Sequence, residues 1–333
     1  MANQLGRSLE VGQALGMADS WDCVIVGGGA AGLSAALVLG RARRRTLVID
    51  AGAQSNSAAH GIGGLLGHDG RPPAELYGMG RDELASYPTV RVLDGDVVTV
   101  CRTDGVFDLE LSTGQTEQAR RVLLATGMDY EVRELPGMAE LWGGSVFHCP
   151  FCHGWEVADQ PLAVLARGER AIHLALLLRN WSQDIVVLTD GPAEFDEDEL
   201  RRFAVAGVRI DERTVVELQS NAGELAAIRF AEGDPLPRRG LLVASTLRQR
   251  SSLVAQLGLE TAASQIAVDT VVVDPIGRTS VPGVFAAGDI TGQMPQVAAA
   301  IAAGSATAAA VVQSLSADDY GLPYPEWRQH VNA

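Results

Sequence analysis

Two cysteines and a histidine stand close together in the run His148-Cys149-Pro150-Phe151-Cys152-His153-Gly154-Trp155. Cys149 and Cys152 are three residues apart, so on one helical turn they lie near enough to form and reopen a disulfide. Pro150 favours the first position of a helix, which places Cys149 where free N–H groups and the helix dipole stabilise a thiolate. His153 adds a proton acceptor with a reference pKa of about 6.5. The pattern predicts a redox-active dithiol with catalytic residues Cys149, Cys152 and His153.

A Cys-x-x-Cys pair also occurs as half of a zinc site, but that site needs two further ligands at similar spacing. The other two cysteines, Cys23 and Cys101, each lie inside an apolar, strand-like run, and we predict that both are small core residues. We therefore expect no metal. Four cysteines with one catalytic pair fit a reducing compartment, so a cytoplasmic location is expected.

A predicted strand at 21–26 leads directly into a glycine-rich turn at 27–32, which matches G-x-G-x-x-G, and then into an apolar helix through Leu39. Such glycines permit a tight turn and let backbone N–H groups approach a pyrophosphate at the helix N-terminus. A second predicted strand, 46–49, ends in Asp50, whose carboxylate is placed to bind the ribose hydroxyls of an adenine nucleotide. We predict a nucleotide site here.

Three other segments point to the same ligand. A strand over 121–124 runs into Ala125-Thr126-Gly127, and a strand that starts at Val281 ends in Gly288-Asp289, where a carboxylate can accept a polyol hydroxyl. A buried helix is predicted over 297–311, and its positive dipole end is available to an anionic ring such as a reduced flavin. The glycine-rich loop 51–70 contributes His60, a candidate for contact with the flavin or the substrate.

The segment after the dithiol repeats the order of strand, turn, helix and strand, with strands at 161–165 and 185–188 and a helix at 171–181. Its turn has lost the first glycine, and Glu169 places a carboxylate where a pyrophosphate would bind. The second strand is followed by Asp190, without the arginine cluster that meets a 2′-phosphate. We predict that NADPH binding is lost, and that any nicotinamide bound is NADH.

The composition argues against several other classes. The 333 residues have a net charge of −15 and include no lysine, which excludes a P-loop or Schiff-base mechanism and argues against nucleic-acid binding. The sequence has no run of about 20 apolar residues, so no membrane span is expected. Residues 1–20 lack the features of a signal peptide and are predicted to form a flexible leader.

Together these motifs resemble the low-molecular-weight thioredoxin reductases, a family of two-domain flavoproteins. The resemblance extends from residue 21 to about 315 and includes Gln296-Val297. It implies an α/β fold with two Rossmann-like domains of the three-layer ββα type, in which a discontinuous FAD domain (21–128 and 243–333) holds an inserted central domain (129–242) that bears the dithiol. It also implies a homodimer, with Cys152 as the thiol nearer the flavin.

FAD is the cofactor that this resemblance implies. The cofactor-binding residues expected from it are Gly27, Gly29, Ala30, Ala31, Gly32, Asp50, Ala51, Gln54, Asn56, His60, Val98, Ala125, Thr126, Gly127, Gly288, Asp289, Gln296 and Val297.

Three departures from the typical reductases point to a subfamily. His153 stands in place of an acidic residue, the second nucleotide motif is degraded, and the histidine-bearing loop 58–70 is extended. All three resemble the FAD-dependent dithiol oxidases of bacterial and fungal natural-product pathways, of the gliotoxin and holomycin type. These enzymes close a disulfide in a small molecule and pass the electrons to oxygen. A histidine suits that direction because the enzyme takes a proton from an incoming thiol.

Our hypothesis is that a substrate thiol, deprotonated by His153, attacks Cys149, expected to be the more exposed cysteine, and that O2 is reduced to H2O2. Two alternatives stay open. One is a thioredoxin reductase-like enzyme that reduces a disulfide, for example in a thioredoxin-like protein, with electrons from NAD(P)H or another donor. The other is a flavin-binding redox sensor without turnover. Candidates for the wall of an apolar substrate pocket, or for ordinary core packing, are Trp142, Phe147, Phe151 and Trp155.

Overall fold

A computed structural model of the protein describes residues 20–325 and residue 327. Apart from Ser20, the predicted leader over residues 1–20 lies outside the described residues. The elements of the first part of the chain are β1 (Trp21–Val26), α1 (Ala30–Arg41), β2 (Thr46–Asp50), α2 (Pro73–Leu84), β3 (Val90–Asp94), β4 (Val97–Thr103), β5 (Val106–Leu111), β6 (Thr116–Leu124) and β7 (Met128–Glu131).

The middle part contains α3 (Met138–Leu141), β8 (Val146–Phe147), α4 (Pro150–His153), β9 (Leu162–Leu165), α5 (Gly168–Leu178), β10 (Ile185–Leu188), α6 (Glu197–Ala206), β11 (Arg209–Asp211), β12 (Val215–Asn221), β13 (Glu224–Phe230), β14 (Leu236–Pro237) and β15 (Gly240–Val243). The last part contains β16 (Thr246–Gln249), α7 (Leu253–Gln256), β17 (Thr261–Ala262), β18 (Thr270–Val271), β19 (Val284–Ala286), a 3₁₀ turn (Asp289–Thr291) and α8 (Val297–Tyr320).

Two sheets organise these elements. The first and last parts of the chain build a seven-stranded sheet in the order β3-β2-β1-β6-β5-β4, with β19 parallel to β6. The middle part builds a five-stranded sheet in the order β11-β10-β9-β15-β8. Crossovers through α1 and α5 keep β1 parallel to β2 and β9 parallel to β10. The predicted α/β fold with two Rossmann-like units is confirmed, while the domain boundaries at 129 and 243 stay predictions.

The larger sheet has a hydrophobic core on each face, because successive side chains of a strand point to opposite sides. On β1, Val24 packs toward β4 and β5, and Ile25 packs toward α1 and α8. Cys23 is buried as predicted, but the prediction that Cys101 is a core residue is wrong, because Cys101 is exposed on the edge strand β4.

Helix α8 is longer than the predicted span 297–311, because it continues to Gly321, where a left-handed conformation ends it. Gly304 brings α8 against α1, since a Cβ at this position would lie 2.0 Å from the carbonyl oxygen of Ala31. Among the described residues, α8 is the helix that is long and apolar enough to cross a membrane by length and composition. Its buried side, which includes Val311 and Leu315, belongs to the core shared with α1. The helix predicted over 171–181 is α5, which runs from Gly168 to Leu178 with Arg167 as its N-cap.

Candidate active site

A cavity of about 520 Å³ lies where the carboxyl ends of β1, β2 and β6 meet the starts of α1 and α8 and the dithiol turn. Two of the predicted cofactor contacts, Gly32 and His60, are not on its wall. The predicted contacts that line it are Gly27, Gly29, Ala30, Ala31, Asp50, Ala51, Gln54, Asn56, Val98, Ala125, Thr126, Gly127, Gly288, Asp289, Gln296 and Val297.

Two glycines of the glycine-rich turn are required for different reasons. Gly27 has a φ of +107°, and a Cβ there would lie 2.3 Å from the carbonyl oxygen of Ala125. A Cβ on Gly32 would lie 1.8 Å from the carbonyl oxygen of Gly27. Gly32 therefore lets α1 pack closely on the end of β1, which explains why it does not reach the cavity.

The starts of α1 and α8 both face the cavity, and their residues fit a dinucleotide. Neither helix has a side-chain cap or an acidic residue in its first turn. Their free N–H groups and positive dipole ends favour negative charge. A pyrophosphate suits the start of α1 at Gly29, and an electron-rich ring suits the start of α8 at Gln296. The cavity volume lies within the range of about 300–1,000 Å³ that ligand pockets usually have.

Asp50 and Asp289, the two aspartates predicted to bind the cofactor, both lie on the cavity wall. Asp50 is buried, accepts a hydrogen bond from the N–H of Gly28 at 3.1 Å and pairs with Arg81 at 2.5 Å. Asp289 accepts a hydrogen bond from the hydroxyl of Tyr130 at 3.0 Å. Burial raises the pKa of Asp289, and the bond from Tyr130 opposes that rise. The ribose and polyol roles expected of these carboxylates stay predictions.

Cys149 and Cys152 form a disulfide, with their Cα atoms 5.4 Å apart. As predicted, Pro150 begins a short helix and Cys149 is its N-cap. The prediction that Cys149 is the more exposed cysteine is wrong. Cys149 is only 8% exposed because it lies two residues after the buried strand β8, whereas Cys152 is half-buried and lies on the cavity wall.

His153 also lies on the cavity wall, with its ring stacked on Phe147 at 5.7 Å. Its Nε2 is 3.1 Å from the carbonyl oxygen of Gly143, so Nε2–H donates and Nδ1 holds the lone pair. Nδ1 is enclosed and has no hydrogen-bond partner among residues 20–325 and 327. Burial lowers the pKa of His153, while the charge of Glu156 opposes this. The ring is therefore neutral near pH 7, with its free lone pair on the enclosed Nδ1.

The loop that contains His60 packs on the dithiol turn through backbone contacts between the two units. A Cβ on Gly63 would lie 2.5 Å from the carbonyl oxygen of Cys152, and a Cβ on Gly143 would lie 2.8 Å from the carbonyl oxygen of Ala58. Glycines on both sides therefore allow two backbones to meet directly. His60 itself is exposed beside Gly144.

The four aromatic residues considered for the substrate pocket divide into two pairs. Trp142 and Phe147 line the cavity. Phe151 and Trp155 are 50% and 81% exposed, so they do not belong to its wall. Phe151 instead packs edge-on against Trp181, with ring centroids 5.5 Å apart. No group of three or more His, Cys, Asp or Glu side chains suited to a metal ion is found in the part of the chain that the structure describes.

The sequence analysis assigned no role to His148, although it immediately precedes Cys149. Its ring lies on the cavity wall between Tyr130, 4.3 Å away, and Trp142, 5.9 Å away. Burial, and to a smaller extent the nearby His153, lower the pKa of His148 to about 4. The signal in the sequence was a second histidine at the dithiol, but its surroundings come from two distant segments.

This low pKa makes stability depend on pH. Because the folded-state pKa lies below the unfolded value of 6.5, stability is full above pH 6.5 and decreases as the pH falls toward 4. Between pH 7 and pH 4.5, we expect the unfolding free energy of the wild type to fall by about 2 to 3 kcal/mol more than that of His148→Phe. Urea unfolding at both pH values tests this, with His173→Phe on the exposed side of α5 as the control. Equal losses in the wild type and His148→Phe would contradict it.

The turn between β9 and α5 is bridged by an arginine. Arg167 donates from Nε to the carbonyl oxygen of Thr189 at 2.7 Å and from Nη2 to the carbonyl oxygen of Asp190. The Asp190 carboxylate pairs with Arg133, and Glu169 lies in the first turn of α5. The carboxyl ends of β9 and β10, where a second nucleotide would approach, are thus bridged by a guanidinium and flanked by two carboxylates.

Comparisons with known proteins agree with this geometry. The family described as pyridine nucleotide-disulphide oxidoreductase matches residues 21–304. Thioredoxin reductase tcpT of Claviceps purpurea is 33% identical over 89% of this chain and 95% of its own. The crystal structure of HlmI is 37% identical with a TM-score of 0.86, covering 91% of this chain and 94% of its own. An oxidoreductase from Agrobacterium tumefaciens is 35% identical with a TM-score of 0.84, covering 89% and 99%. The chain therefore belongs to the pyridine nucleotide-disulphide oxidoreductase family, as a thioredoxin reductase-like enzyme that binds FAD.

Proposed function

We propose that this enzyme oxidises a small-molecule dithiol to its intramolecular disulfide through Cys149 and Cys152, with O2 reduced to H2O2. The observation that supports this most is that Arg167 bridges the carboxyl ends of β9 and β10, where a nicotinamide nucleotide would bind. If no nicotinamide binds there, the electrons enter from the thiol substrate. FAD, when bound, supplies a two-electron acceptor that can pass the electrons on to O2. We also propose that the enzyme is a cytoplasmic homodimer.

The residues of this chain carry out two successive thiol–disulfide exchange steps. In the first, a substrate thiol attacks Cys149, the Cys149–Cys152 bond breaks, its electron pair stays on Cys152 and the thiol proton passes to His153. In the second, the other substrate thiol displaces Cys149, which leaves both cysteines reduced and releases the cyclic disulfide. The 8% exposure of Cys149 favours a small thiol over a folded protein as the attacking group.

The direction of electron flow is tested by anaerobic flavin bleaching. We expect a small dithiol to bleach the flavin absorbance, NADPH and NADH to leave it unchanged, and air to restore it with formation of peroxide. The reason is the bridged turn at Arg167, with Glu169 beside it. Rapid bleaching by a nicotinamide would contradict the proposal and favour the reductase.

The role proposed for His153 is tested separately. We expect His153→Ala to slow flavin reduction by dithiol by about 10²-fold while reoxidation by O2 changes much less, because only the first half-reaction takes a proton from a thiol. Stopped-flow absorbance measures both rates, and the exposed His173→Ala serves as the control. Equal slowing of both half-reactions would remove His153 from the role of substrate base.

One observation favours the alternative function. The relative from Claviceps purpurea and two others of similar coverage are named thioredoxin reductases. An enzyme of that kind would turn over a thioredoxin-like protein with a suitable electron donor, so turnover with a small dithiol and O2 alone separates the two functions. A redox sensor would show a reversible Cys149–Cys152 bridge without steady-state turnover.

A further inference from the structure

Two histidines flank the disulfide, and their ring nitrogens are in different situations. In His153, Nε2 is engaged by the Gly143 carbonyl and Nδ1 is enclosed. The His148 ring is mostly buried on the cavity wall, has no hydrogen bond to any described residue, and its nitrogens are not among the enclosed polar atoms. A buried polar group normally has a partner. The His148 ring is therefore open to hydrogen bonding by a molecule that occupies the cavity.

The orientation of His148 is fixed by aromatic rings. Tyr130 contacts it at 4.3 Å with an interplanar angle of 44°, and Trp142 stacks on it at 5.9 Å and 19°. Tyr130 is itself held by its hydrogen bond to Asp289, and it lies on β7, which pairs with β16 where the chain passes between the two units. Two aromatic rings thus fix the orientation of the His148 ring on the cavity wall, where it has no hydrogen bond to any residue among 20–325 and 327.

The chemistry of a dithiol calls for a group at this position. Oxidation of two thiols to a disulfide releases two protons, and in the proposed function His153 accepts only the first. The second is released when the second thiol displaces Cys149, the residue that His148 immediately precedes.

We propose that His148 is a second catalytic base, which contacts the second substrate thiol and takes its proton as that thiol displaces Cys149. This inference rests on the proposed dithiol oxidation. In the step, the S–H bond of the second thiol breaks, its sulfur bonds to the substrate sulfur held by Cys149, and the mixed disulfide breaks with its electron pair on Cys149. The proton ends on His148.

The experiment follows the mixed disulfide by mass. Holoenzyme is mixed anaerobically with dithiothreitol, quenched with acid and N-ethylmaleimide at increasing times, and its intact mass is measured. In the wild type the protein–dithiothreitol adduct should remain a minor species. In His148→Phe we expect it to become the major species and to decay at least about tenfold more slowly, since proton removal is lost while the aromatic stack is kept.

Three comparisons separate this role from a packing effect. Reduction of the bridge by tris(2-carboxyethyl)phosphine removes no thiol proton, so its rate should be the same in the wild type and His148→Phe. His148→Gln, which is polar but not basic, should accumulate the adduct as well and provides a second variant if the phenylalanine disturbs folding. The exposed His173→Phe should behave as the wild type.

The outcomes are distinct. Absence of adduct in both His148 variants, or an equal slowing with dithiothreitol and phosphine, would overturn the role of His148. If dithiothreitol fails to reduce even the wild-type bridge while the phosphine succeeds, the proposed dithiol oxidation fails, and the inference about His148 fails with it for that separate reason.

Discussion

Replacing Cys152 with serine is expected to lower kcat for dithiol oxidation by at least about 10³-fold, because a catalytic group that acts as part of a unit leaves little activity when removed. Cys152 lies on the wall of the FAD cavity and forms the disulfide with Cys149. Without its sulfur, Cys149 has no bridge for a substrate thiol to open. Peroxide production with a small dithiol under saturating O2 measures the effect.

The matched control for this variant is Cys101→Ser. Cys101 is exposed on the edge strand β4, is not part of a disulfide and does not line the cavity. It should keep wild-type turnover. Cys152→Ser should also keep bound FAD, visible in its absorbance spectrum, because a serine hydroxyl is no larger than the thiol. Turnover within tenfold of the wild type in Cys152→Ser would show that the dithiol is not the route of the electrons.

Replacing Gly32 with alanine is expected to have the largest effect on stability. The added Cβ would lie 1.8 Å from the carbonyl oxygen of Gly27, so the backbone of the turn or the whole of α1 has to move. We expect a loss of about 3 kcal/mol or more in the free energy of unfolding, together with loss of bound FAD. Thermal unfolding followed by circular dichroism, and the flavin content after gel filtration, measure both.

Gly78→Ala is the control for that substitution. Gly78 lies inside α2, is exposed, and a Cβ there would meet nothing within 4 Å. Alanine should therefore raise stability by about 0.5 to 1 kcal/mol, because it loses less conformational freedom in a helix than glycine. If Gly32→Ala were as stable as the wild type, the close packing of α1 on β1 would be disproved.

The parts of the fold that the sequence predicted are those with local causes. The run 23–26 is apolar throughout because this part of β1 is buried on both faces, and the glycines that follow it belong to the turn itself. The Cys149 N-cap follows from Pro150 in the same way. The start of α8 was also predictable, whereas its end at Gly321 required attention to a glycine cap beyond the apolar region.

Exposure and side-chain partners were not predictable, because they depend on segments far apart in the chain. Cys101 is exposed because its side chain lies on the face of β4 and β5 opposite the one that carries the buried Val100. Cys149 is more buried than Cys152 because of the sheet it follows and the cavity that Cys152 faces. His148 gains its importance from Tyr130 and Trp142, neither of which is next to it in the sequence.

The contact between the loop of the FAD-binding unit and the dithiol turn limits how this protein can be recombined with its relatives. Gly63 touches the Cys152 carbonyl and Gly143 touches Ala58, so each unit supplies a surface shaped for the other's main chain. A chimera that exchanges only the central unit would bring a foreign turn against residues 58–63 with no side chain able to adjust. Chimeras between homologues should therefore take this loop and the dithiol unit from the same parent protein.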